Sequence, residues 1–193
     1  IVYDTSSSMR RDVNDRNNKP DIESEDSRFY QTKEALREFL RDLYENIADR
    51  DSVQLALVDF NLKANYQPAN PNSSTFTDVT HKFDGSDWTS DDDTFMAAID
   101  NLKVTQGTNW ADGLKYAINN VADPGNDNPT YVLLMTDGAP SQYWHSNTSY
   151  FVGGEACYLG ARDEARAVVN SGRELYAIFS YRDQQDQDNR YLT

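Results

Sequence analysis

Hydroxyl and carboxylate side chains gather at three places in this 193-residue chain. The first is IVYDTSSSMR at 1–10, where three apolar residues run into Asp4, Thr5, Ser6, Ser7 and Ser8. The second is QGTNW at 106–110, with Thr108 directly after a glycine. The third is MTDG at 135–138, where Asp137 ends a continuous apolar run. All are hard oxygen donors, with no thiolate or imidazole among them. Such a set suits Mg²⁺ or Mn²⁺, and less specifically Ca²⁺. In an extended segment residues two apart point the same way, so Asp4, Ser6 and Ser8 can share one ion if the loop curls over it.

Something must bring these three stretches together. The apolar patterning predicts strands at 1–3, 53–60, 130–136 and 174–180. Between them it predicts helices at about 28–49, 94–103, 109–122 and 159–171. In the first helix Leu36, Phe39, Leu40, Leu43 and Ile47 mark one apolar face. Alternation of this kind means an α/β fold, a doubly wound and mostly parallel central sheet with helices on both faces. Ligand sites in such sheets lie outside the carboxyl ends of the strands. Right-handed crossovers place the ends at Asp4 and Asp137 on one edge, and the helix opening after Thr108 can start there too.

Long polar segments separate the elements at 9–27, 61–92 and 139–158, read as insertions in a single domain spanning 1–193. Within 61–92 a short edge strand is expected between Phe76 and Phe83, and the tail 181–193 carries no clear element. The net charge of −14 argues against nucleic-acid binding, which calls for a basic face. The single cysteine, Cys157, excludes an internal disulfide framework and leans towards a bacterial surface protein or an intracellular one. No apolar run approaches the roughly 20 residues that span a membrane. The chain opens within a strand, as an excised piece of a longer protein would.

Taken in order, DTSSS (Asp-x-Ser-x-Ser), GTN before a helix and MTDG after a strand resemble the von Willebrand factor A domain with its metal-ion-dependent adhesion site. The resemblance covers about residues 1–180 and implies a Rossmann-like fold. It implies that Ser6 and Ser8 bind the metal directly, Thr108 directly or through water, and Asp4 and Asp137 mainly through water. One coordination position would stay open for a partner's carboxylate. Ser7 stands where the family usually has glycine, and a final strand and helix of the fold are expected to be missing or reshaped. The long insertions further resemble those of bacterial pilus-tip and minor-pilin adhesins. That implies an extracellular, cell-surface or pilus setting and a protein ligand, such as a host matrix or surface protein with an acidic residue. The domain is then not an enzyme. The alternatives are an intracellular A-domain assembly subunit and a Mg²⁺-dependent hydrolase; the hydrolase lacks a phosphate loop and a second aspartate two residues after Asp4.

The remaining candidates have plainer explanations. Asp91, Asp92 and Asp93 suit a helix N-terminus. His81 and His145 have no ligand-spaced companions, and Cys157 reads as a buried thiol. Asn72 and Asn147 head sequons that matter only in a eukaryotic secretory pathway. Tyr143, Trp144, Tyr150 and Phe151 leave the open choice between packing their loop down and walling the metal edge; the first three are the candidate ligand contacts.

Overall fold

The computed structural model describes residues 1–15, 17–46, 55–62, 97, 99, 100, 102–119, 129–146 and 149–180. Its centre is a parallel sheet of β1 (Val2–Asp4), β2 (Val58–Phe60), β3 (Tyr131–Thr136) and β6 (Glu174–Phe179) in the order β2-β1-β3-β6. The register pairs Val2 with Val58 on one side and with Leu134 on the other. β1 and β3 are therefore the two central strands, and Asp4 and Asp137 come at their adjacent carboxyl ends.

Alternation along these strands builds two cores. Tyr3, Leu57 and Met135 face one side, with Phe29, Leu36 and Leu40 of α1 (Arg28–Asn46) and with Ile99 and Leu102. Val2, Val58 and Leu134 face the other. There they meet Trp110 and Leu114 of α2 (Trp110–Asn119) and Ala161 and Val168 of α3 (Glu155–Asn170). The sheet is thus doubly wound, as the sequence pattern requires.

Four expectations shift. Phe39 is 48% exposed and lies off the apolar stripe of α1. That stripe includes buried Lys33, whose ammonium reaches Glu23 at 3.3 Å and lies over the Phe29 ring. Of the strand expected over 53–60, the described residues 55–60 are ladder-paired at Val58–Phe60, with a bridge at Leu55. The 139–158 segment is not a loop throughout. It forms an antiparallel hairpin, β4 (Gln142–Ser146) and β5 (Ser149–Val152), whose aromatic and β-branched residues suit paired strands. α3 accordingly starts at Glu155, four residues before the expected 159, with Gly154 at φ 73° as its cap. Ala97, Ile99 and Asp100 are helical as expected. The expected strand between Phe76 and Phe83, the acidic run 91–93 and the tail 181–193 lie outside the described residues.

Candidate metal centre

The turn after β1 is a closed set of polar contacts. Asp4 is fully buried, and its Oδ1 accepts the Ser6 amide at 2.7 Å. Its Oδ2 accepts the hydroxyl of Thr136, the last residue of β3, at 2.5 Å. The chain then winds into a 3₁₀ turn, Ser7–Arg10, anchored by buried Met9. Ser6 and Ser8 do face one another, through this turn and not through strand alternation.

Ser8 Oγ donates to Asp137 Oδ1 at 2.6 Å, and Ser6 Oγ lies 2.8 Å from Ser8 Oγ. A serine has one proton, so Ser6 must be the donor to Ser8. Adjacent oxygens on a Mg²⁺ octahedron with bonds of 2.0–2.1 Å are separated by about 2.9 Å. The serine pair already stands at the spacing of two neighbouring ligands, so the donor set fits a small divalent cation.

The Thr108 loop is tied in by its backbone. Thr105 N donates to Thr5 O at 2.8 Å, and Ser141 N donates to Thr108 O at 2.8 Å. Thr108 is buried and is not the helix cap. That role belongs to Asn109, whose Oδ1 accepts the Asp112 amide at 3.2 Å. Asn109 also binds Asn61 O through its amide and Leu62 O through its side chain. Gly107 takes φ 88°, and a Cβ there would meet Leu62 Cα at 2.5 Å. Only glycine fits that approach.

Electrostatically the two carboxylates outweigh the positive charge beside them. Burial, then repulsion from Asp137, pushes the Asp4 carboxyl up to about 7. Burial also raises Asp137, against the opposing pull of Ser8 and Arg28. Two buried carboxylates raised in this way are what a divalent cation would relieve.

Sequence reasoning missed Arg28. This first residue of α1 is buried, and its Nη1 reaches Asp137 Oδ2 at 3.2 Å. The signal was available: a basic residue directly after the Ser27 cap opposes the helix dipole and so implies a partner elsewhere. Among the ligand-contact candidates, Tyr143 is half-buried with its ring against Gly160 of α3, where a Cβ would lie 2.4 Å from it. This is the packed-down alternative. Trp144 pairs with Tyr150 across the hairpin, and their side chains, with that of His145, lie outside the described residues. Cys157 is buried, donates to Gly153 O, and has its thiol pushed up by burial. Among the described residues no group of three or more His, Cys, Asp or Glu is placed to hold a metal ion; the site rests mainly on hydroxyls. No described helix is long and apolar enough to cross a membrane.

A parallel sheet wrapped on both faces, with hydroxyls and carboxylates at its central strand ends, defines an α/β domain with a strand-end site. The chain belongs to the von Willebrand factor type A domain family, whose model matches residues 1–189. Its fold is similar to that of proximal thread matrix protein 1 from the mussel byssus (TM-score 0.50, 19% identity, covering 92% of this chain and 34% of that one). A second structure of that protein, described as having a zinc-occupied MIDAS motif, has 21% identity with the same TM-score and coverage. The pilus adhesin SpaC from Lactobacillus rhamnosus GG, in its open conformation, matches with TM-score 0.52 and 17% identity, covering 91% of this chain and 23% of that one. The chain therefore spans about a third or less of each of these proteins. No curated protein matches the sequence.

Proposed function

We propose that this is a metal-dependent adhesion domain of a bacterial cell-surface or pilus protein, a binding module and not an enzyme. Ser6 and Ser8 ligate Mg²⁺ or Mn²⁺ directly. Thr108 completes the set directly or through water, and Asp4 and Asp137 act mainly through water. The bound ion supplies an electrophile for a carboxylate on a protein ligand, such as a host matrix or surface protein. Neutral hydroxyl ligands leave the ion's charge little quenched, which favours an acidic partner. The observation that carries this reading is the Ser6–Ser8–Asp137 chain, with its two hydroxyl oxygens 2.8 Å apart. The adhesin setting is supported by the likeness to SpaC.

The test is thermal unfolding with Mg²⁺, Mn²⁺ and Ca²⁺ titrated into the wild type and Asp4→Asn. A ligand that binds only the folded state raises the melting temperature with its concentration. A rise in the wild type that is lost in the variant is expected. No rise with any of the three ions would sink the proposal.

A further inference from the structure

Arg28 is a fixed positive charge inside the site. Its guanidinium lies in the protein interior with 5% side-chain exposure, so it does not present itself to a ligand. It engages Asp137 Oδ2 at 3.2 Å, while Ser8 engages Oδ1 at 2.6 Å. The two oxygens of Asp137 are thereby divided between a cation of the protein and a hydroxyl of the site. The backbone holds Arg28 in place: its amide donates to Arg11 O at 2.9 Å and its carbonyl accepts the Thr32 hydroxyl at 2.7 Å.

We propose that Arg28 is a positioning residue that sets how tightly the site holds its cation and how strongly the loaded site attracts an anion. This rests on the metal-dependent reading above. With both carboxylates ionised, as cation binding requires, Asp4 and Asp137 carry two negative charges, and Arg28 returns one positive charge. A divalent cation thus meets a site of net charge −1 and leaves it at +1. Without the guanidinium the same ion would meet −2 and leave the site neutral. Arg28 therefore weakens the hold on the cation and keeps the loaded site electropositive, inside a domain of net charge −14. It also confines Asp137 Oδ2, so that the carboxylate faces the site through Oδ1.

The test compares wild type, Arg28→Gln and Arg28→Lys by calorimetric titration of Mn²⁺, then of acetate into the Mn²⁺-loaded protein. Melting in chelator serves as the fold check. Removing the charge in Arg28→Gln should tighten Mn²⁺ by about tenfold and weaken acetate by a similar factor. Arg28→Lys keeps the charge and should stay within about threefold of wild type on both. Mn²⁺ affinity equal to or below wild type in a folded Arg28→Gln overturns the proposal while leaving the metal site standing. Should Arg28→Gln not fold, Arg28→Lys decides: a tenfold change in either titration overturns the charge account. If Mn²⁺ does not bind even the wild type, the adhesion-site reading falls and this one falls with it.

Discussion

The turn after β1 and the hairpin after β3 leave neighbouring strands at one sheet edge, yet different forces hold them. The turn is fixed by short polar contacts among buried groups: Asp4 to Ser6 and Thr136, Ser8 to Asp137, and Asp137 to Arg28. The hairpin is fixed by the Tyr143 ring on Gly160 and by backbone bonds at its base, Ser141 N to Thr108 O and Gly153 N to Ser141 O. Buried polar contacts depend on each partner, because an unsatisfied charge costs its full desolvation. Packing degrades gradually as shape is lost. One edge thus combines an over-determined polar turn, the proposed ion site, with a flank that tolerates change.

Asp137→Ala is the sharpest way to break that comparison. A rim position suggests that this change would spare the fold, but Asp137 is 3% exposed and faces a buried arginine. Truncation should cost about 3–5 kcal/mol in chelator, read by denaturant unfolding, and Asp137→Asn most of that, because it too leaves Arg28 buried without its counter-charge. A loss under about 1 kcal/mol in both variants would show that the ion pair is not a buried one in solution.

The carboxylates also make stability depend on pH. Between about 4 and 7 Asp4 is protonated in the metal-free folded chain and ionised in the unfolded one. The folded state then binds the extra proton, so this group's contribution falls as pH rises through that window. Cation binding needs the carboxylate, so the metal-induced shift should grow over the same window. At a metal concentration 100 times Kd the wild type should gain about 2.7 kcal/mol, and Asp4→Asn close to none. A metal shift that is flat from pH 5 to 8 would contradict the raised Asp4.

Gly107→Ala comes next. Its methyl would meet Leu62 at a positive φ, so a loss of about 2 kcal/mol is expected, together with weaker metal binding as the Thr108 loop shifts. Gly160→Ala should have the smallest effect. It pushes on the Tyr143 ring, costs about 1 kcal/mol, and leaves metal affinity unchanged. A loss of metal affinity in Gly160→Ala would mean that hairpin and turn are one cooperative unit.

Much of this was legible in the sequence because the signals were strong and local. TYVLLMT could hardly be anything but a central strand, and it became β3 from Tyr131 to Thr136. The grouping of Ser6, Ser8 and Asp137 followed from strand ends sharing an edge, although the 3₁₀ turn that joins the serines did not. Arg28 was missed because a long-range pair, 109 residues apart, leaves no periodicity. The hairpin was missed because Tyr143, Trp144, Tyr150 and Phe151 look alike whether they pack down or stand out. Their pairing is decided by a partner strand and not by composition.

The strand order has a mechanical consequence. A ligand held at the proposed ion site would pull where β1 and β3 end, and these are the two central strands of the described sheet. Thr136 Oγ1 on Asp4 and Ser8 on Asp137 fasten those ends side by side. A tug along the strand axes is therefore shared in shear by all the ladder bonds on both flanks at once. A load applied at an edge strand would peel them one after another. The placement that gathers the oxygens would also put such a tether where the sheet best resists being pulled apart.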